Sequence, residues 1–176
     1  YGSPAWQSNS KVSVQSDCLF SDPILEVTHS LVTRVDDEFT LDSVQDLFGQ
    51  RLITLHGFDY PGLASYFEQG SIQRLNVKSL NSAFKAVAAR RGLGFVGMDI
   101  RVAYNFSASS IPRSNYRIQD LSFLIPSYPV HLSVDCRMDR ALQQSLNEGY
   151  RSLIDSGSVE RVLNQYLKNN NDVTSV

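Results

Sequence analysis

The sequence predicts an α/β protein: a doubly wound, mainly parallel sheet lobe with a partial second lobe joined to it by two strands. Three observations carry this expectation. Between residues 41 and 104 short apolar runs alternate with helically spaced ones in the order helix, strand, helix, strand, helix, strand, helix. Such alternation marks parallel βαβ units, whose right-handed crossovers cover a sheet on both faces. Two runs rich in β-branched residues, 24–34 and 128–134, flank that centre as strands. Finally, 176 residues that are 42% hydrophobic and 19% charged can bury roughly 70% of their unfolded surface, so a core is available without metal staples.

The elements follow in order. Residues 1–23 are Ser-rich and aperiodic, and Pro23 stops any regular element before it, which reads as loop. The strand 24–34 exits to solvent at Asp36-Asp37-Glu38, whose acids read as a solvated turn. Leu41, Val44, Leu47 and Phe48 have helical spacing and Gly49 follows as a C-cap, giving a short helix. Leu52–Leu55 fits a buried strand. A turn, His56 to Tyr60, then leads into a helix opened by Pro61 and stopped by Gly70. Residues 72–76 form the next strand. Ser79 caps a helix whose apolar positions are Leu80, Ala83, Phe84, Val87 and Ala88 and which closes at Gly92. Gly94–Met98 is a strand, and a helix through Val102 and Tyr104 begins at Asp99. Residues 105–120 lack a period. The strand 128–134 precedes two amphipathic helices separated by Gly157, and the polar tail beyond Lys168 frays.

Composition excludes several functions. A formal net charge of −2, with Arg90-Arg91 as the longest basic run, offers no phosphate-binding cluster, so nucleic acid is not an expected partner. No stretch approaches the ~20 apolar residues of a membrane span. Cys18 and Cys136 have no CxxC spacing and imply neither zinc nor a thioredoxin-like motif. They form either a disulfide or two buried thiols. A disulfide would close a loop of over ~100 residues and restrain the unfolded chain by about 4–5 kcal/mol. His29, His56 and His131 lack partners at metal or triad spacing, and only His56, at a strand end, is placed to line a site. There is no GxSxG elbow and no SxxK. The sequence therefore holds no catalytic constellation and implies no cofactor or metal.

What remains is the behaviour of open α/β sheets, which bind ligands beyond the carboxyl ends of their strands. Two loops qualify. At Gly57, Phe58, Asp59 and Tyr60, the N–H groups opening a helix can receive an anion. At Asp99, a carboxylate following a strand can receive an ammonium through charge-assisted hydrogen bonds. The plainer alternative is that Asp59 and Asp99 cap helices.

The order of elements and motifs resembles the periplasmic solute-binding proteins of the polar amino-acid uptake family of ABC transporters, with the type 2 periplasmic-binding fold. Phe20-Ser21-Asp22-Pro23 and the strand ending Leu31-Val32-Thr33-Arg34 are similar to the segment that leaves lobe one through the hinge. Asp46-Leu47-Phe48-Gly49-Gln50-Arg51 resembles the family's opening of lobe two, and Gly57 the glycine of its ligand loop. The likeness covers roughly residues 1–170.

The resemblance implies lobe two at 35–127, with 1–34 and 128–176 supplying hinge strands, C-terminal helices and a lobe one that lacks its N-terminal part. It implies ligand contacts at Ser3, Pro4, Trp6, Gly57, Phe58, Asp59, Tyr60 and Asp99, with Asp99 holding an amino group. Where the family carries Thr-x-x-Arg, this chain has Lys11 and Val14, and Gly94 stands where an acid is common. The ligand implied is thus a small polar or aromatic cation or zwitterion. Extracytoplasmic, periplasmic capture for a transporter permease is the function implied. The alternatives are the sensing module of a membrane signalling protein and a dehydratase-like enzyme on the same scaffold. Uncovered apolar faces of the shortened chain would favour a dimer.

Overall fold

The computed structural model describes residues 19–135 and 137–167. Ser3, Pro4, Trp6, Lys11, Val14, Cys18 and Cys136, and with them the pairing of the two cysteines, lie outside the described residues. Contacts divide the chain into two compact units, the second spanning Thr28–Ser127.

In the first unit β1 (Leu19–Val27) pairs antiparallel with β7 (Tyr128–Ser133), and the register shifts on both sides of Pro23. A proline is tolerated there because a two-stranded sheet leaves each strand an unpaired edge. Helices α4 (Arg140–Asp155) and α5 (Ser158–Leu167) follow, and α4 packs on β1. Asp139 caps α4, its Oδ1 accepting from the N–H groups of Ala141 and Leu142. Tyr150 is buried, whereas Leu142, Leu146, Leu153 and Val162 are exposed.

The second unit holds a five-stranded sheet in the order β4-β3-β5-β2-β6. Its strands are β2 (His29–Arg34), β3 (Arg51–Leu55), β4 (Gln73–Val77), β5 (Gly94–Met98) and β6 (Tyr116–Asp120). β3 runs parallel to β4 and β5, while β2 is antiparallel to both β5 and β6, so β2 alone is reversed. Helices α1 (Pro61–Glu68), α2 (Leu80–Ala88) and α3 (Asp99–Ala108) cover it. Strand alternation splits the core in two. Val32, Ile53 and Phe95 face Phe84, Val87, Val102 and Phe106 of α2 and α3. Leu31, Leu52 and Val96 face Leu63 of α1 with Ile72, Leu121 and Ile125. Phe84 centres the first cluster, with ring centroids 4.7 Å from Phe95, 4.9 Å from Phe106 and 5.2 Å from Tyr116.

The structure corrects several sequence expectations. The single strand over 24–34 is two strands in different sheets, broken at Thr28, because β-branched composition runs through the break without a punctuating residue. Strand structure already begins at Leu19 within the expected loop. The helix over 41–48 is only a 3₁₀ turn, Val44–Leu47, closed by the Ser43 N–H donating to Asp46 Oδ2 at 2.7 Å. α2 stops at Ala88, and the left-handed residue after it is Arg90 rather than Gly92. The aperiodic stretch contains the end of α3 and all of β6, whose exposed alternate positions hide its period.

One glycine tests this packing. A Cβ on Gly62, in the first turn of α1, would stand 1.6 Å from the Leu124 carbonyl oxygen, whereas one on Gly149 in α4 would meet nothing within 4 Å. Gly62→Ala should cost at least about 2 kcal/mol through overpacking against backbone. Gly149→Ala should instead stabilise by about 0.5–1 kcal/mol through helix propensity. Urea denaturation followed by circular dichroism checks both, and a neutral Gly62→Ala would contradict the contact of α1 with residues 124–125.

Candidate functional site

Crossover handedness selects one end of the second unit. β3 leads through α1 to β4 on one side, whereas β4 leads through α2 back past β3 to β5 on the other. Right-handed crossovers in opposite directions place α1 and α2 on opposite faces. The chain leaving β3 and the chain leaving β5 therefore part company, which opens a crevice between their carboxyl ends. The two loops there are 56–60 and the junction at Asp99.

The loop 56–60 is built rigidly. Gly57 has φ +78°, in the left-handed region where glycine is favoured. The His56 N–H donates to Val77 O at 2.8 Å and anchors the loop to β4. Tyr60 points inward: it is 5% exposed, its hydroxyl accepts from the Leu55 N–H at 3.0 Å, and burial raises its pKa. Arg74 of β4 ties the loop from the side. Its Nε donates to Thr54 Oγ1 at 2.9 Å and its Nη2 to Phe58 O at 3.0 Å, and its guanidinium lies 5.5 Å from the Tyr60 ring and 5.3 Å from Phe67. Phe58 is half-buried against both core clusters, while Gly57 and Asp59 are exposed.

Across the crevice Asp99 opens α3. Its N–H donates to Thr28 O at 3.0 Å, and Thr28 Oγ1 donates to Asp99 Oδ2. Asp99 Oδ1 is enclosed and accepts no hydrogen bond from the described residues. A carboxylate oxygen so placed needs a donor, because desolvation without a partner is costly. His29 follows Thr28, is 2% exposed, and stands edge-on to Tyr60 with ring centroids 6.4 Å apart. Burial lowers its pKa, and the nearby Asp99 acts in the opposite direction. Arg101, two residues into α3, lays its guanidinium over the Phe58 ring at 5.1 Å.

Of the expected residues within the described chain, the structure brings Phe58, Tyr60 and Asp99 into one neighbourhood, with Gly57 and Asp59 on its exposed rim. Tyr60 supports the loop from inside. The sequence reading missed Thr28, Arg74 and Arg101, whose roles depend on partners 71, 16 and 43 residues away. His56 is exposed beside the loop, whereas His131 Nδ1 is 3.0 Å from Ser21 O in the first unit.

The other end of the sheet carries a cavity of about 610 Å³ lined by Arg34, Asp37, Arg51, Gln73, Arg90 and Arg91 among others. Its charges are mostly tied to each other. Arg34 pairs with Asp37 and with Asp36 at 3.3 Å, Arg90 reaches Asp36 at 2.7 Å and Asp37 at 3.2 Å, and Arg51 donates to Gln73 at 2.9 Å. The acids at 36–38 are thus not simply a solvated turn, since the Asp37 side chain is only 12% exposed.

No family model matches the sequence, and no curated protein matches it. Solved structures do. A mutant of ArgBP from T. maritima superposes with a TM-score of 0.67 at 21% identity, over 85% of this chain and 61% of that one. The solute receptor for L-cysteine of Neisseria gonorrhoeae gives 0.69 at 15% identity, over 99% and 64%. AbpA from Streptococcus pneumoniae, an amino acid ABC transporter substrate-binding protein bound to L-arginine, gives 0.70 at 18%, over 90% and 65%. The fold is periplasmic-binding-protein-like. This chain spans about three fifths of the length of the structures it matches, and no described helix is long and apolar enough to cross a membrane.

The buried imidazole makes a prediction about this fold. An unfolded histidine titrates near 6.5 and His29 in the fold below it, so at acid pH the unfolded chain takes up a proton that the folded chain resists. Stability then rises with pH through this range. Between about pH 7 and about pH 5, wild type should lose more stability than His29→Gln, measured as the change in urea midpoint. Equal losses would mean that His29 protonates freely in the folded protein.

Proposed function

We propose that this chain is the solute-binding part of an extracytoplasmic receptor. It captures a small amino-acid-like solute without chemical turnover and delivers it to a membrane transporter of the ABC type. One observation carries the reading: Asp99 is held by Thr28 through Oδ2 while Oδ1 is enclosed without a donor among the described residues. A ligand ammonium supplies that donor and the compensating charge together. Phe58 and the exposed rim at Gly57 and Asp59 lie across the crevice, where an apolar or polar remainder of the solute can rest. The solved structures of similar fold support the ligand class, since two of them are described as a receptor for L-cysteine and as a protein bound to L-arginine.

A thermal-shift screen of the twenty L-amino acids, followed by calorimetry on those that stabilise the chain, tests the reading. Asp99→Asn should weaken the tightest of them at least ~30-fold, because truncating one partner of a desolvated charge pair strands the other. Asp59→Asn, at an exposed position, should change affinity by less than ~3-fold. Undiminished binding by Asp99→Asn would sink the assignment.

A further inference from the structure

Three described arginines are half-buried: Arg34, Arg101 and Arg117. Two of them reach protein acceptors or acids. Arg34 donates to Val87 O at 2.7 Å and pairs with Asp36 and Asp37, and Arg117 donates to Phe39 O at 3.0 Å. The Arg101 guanidinium makes no hydrogen bond or ion pair among the described residues; it lies over the Phe58 ring, its central carbon 5.1 Å from the ring centroid. A guanidinium is always charged and carries five donors, so without a protein acceptor these donors are left for an incoming anion.

Its place in the helix adds to this. Arg101 lies in the first turn of α3, where unpaired N–H groups make a cation unfavourable. Asp99 does not neutralise it, because residues two apart point to different sides of a helix. Asp99 leans toward β2, where it meets Thr28, and Arg101 leans toward the end of β3, where it meets Phe58. Helical side chains slant toward the N-terminus, so both lean toward the start of α3, at the carboxyl end of β5. Acid and base thus stand on opposite sides of the start of α3.

We propose that Arg101 is the carboxylate-binding residue of this site, so that its ligand carries a cationic amine and a carboxylate, the first held by Asp99 and the second by Arg101. This rests on the reading of Asp99 given above and adds to it a specificity-determining residue. Phe58 holds the guanidinium plane in position, leaving its edge for a bidentate carboxylate.

Calorimetry on the full chain separates the two claims. Each of the twenty L-amino acids is compared with its decarboxylated amine, L-arginine with agmatine and L-cysteine with cysteamine among them. Wild type should bind its preferred amino acid roughly 10- to 100-fold more tightly than the matching amine, the range expected of a charge-assisted pair. Arg101→Met should erase that ratio by weakening the amino acid and, with the like charge gone, modestly tightening the amine, and Arg101→Lys should restore part of it. Circular dichroism of both variants confirms the fold. If Arg101→Met keeps the ratio while Asp99→Asn loses binding, the role of Arg101 is overturned and that of Asp99 stands. If wild type binds amine and amino acid alike, Arg101 is again excluded. If no amino acid in the set binds, the reading of Asp99 falls and Arg101 falls with it.

Discussion

Strand β2 is the constraint on which the second unit depends. Residues 29–33 are all buried, and both edges of the strand are paired, to β5 and to β6. Buried backbone groups must find partners, so the strand can neither shift nor leave without stranding two ladders. Its side chains alternate between the two cores, Leu31 into one and Val32 into the other. A one-residue slip would exchange them. The same register, His29 opposite Met98, is what brings Thr28 beside Asp99. At the other end, Arg34 binds the last turn of α2 through Val87 O. One strand thereby fixes the two cores, the end of one helix and the start of another, and the geometry of the site is a consequence of packing far from it.

This explains which features could be read from the sequence. α2 was legible because Leu80, Ala83, Phe84 and Val87 repeat at helical spacing and Ser79 caps them, its Oγ accepting from the Ser82 N–H at 3.2 Å; both signals are local. The break at Thr28 was not, since Val27-Thr28-His29 suits a strand on either side and only long-range pairing decides which sheet each half joins. β6 was hidden because its half-buried positions are the polar Arg117 and Gln119, committed to Phe39 O and Thr33, which makes an edge strand look like polar loop. At the candidate site, the position of Asp99 directly after a strand was legible. Arg101 and Arg74 were not, because an arginine signals nothing until the aromatic ring beneath it is known.

The two ends of the sheet handle charge in opposite ways. At one, Arg34, Arg90, Asp36 and Asp37 are cross-paired, so each desolvated charge meets another. Such a network fixes the turn after β2 against α2. At the other end, Asp99 and Arg101 stand on one helical turn without pairing. A fold under selection for stability alone gains nothing from the second arrangement.

The separation of these ends also bears on selectivity. Five-residue strands at ~3.3 Å per residue put them roughly 16 Å apart, about two Debye lengths at physiological salt. The exposed arginines of the far cavity would therefore exert little pull on a solute at the proposed site, where the local charges decide. Those charges sum to zero. A simple amine gains from Asp99 and is opposed by Arg101, and a simple carboxylate meets the reverse, so the near-cancellation penalises both. A molecule with its two charges held apart gains at both ends, and because it is neutral overall it enters with a smaller desolvation cost than an ion of single sign. On the proposed reading, discrimination comes from the fixed separation of two side chains, which the register of β2 and the ring of Phe58 hold in place.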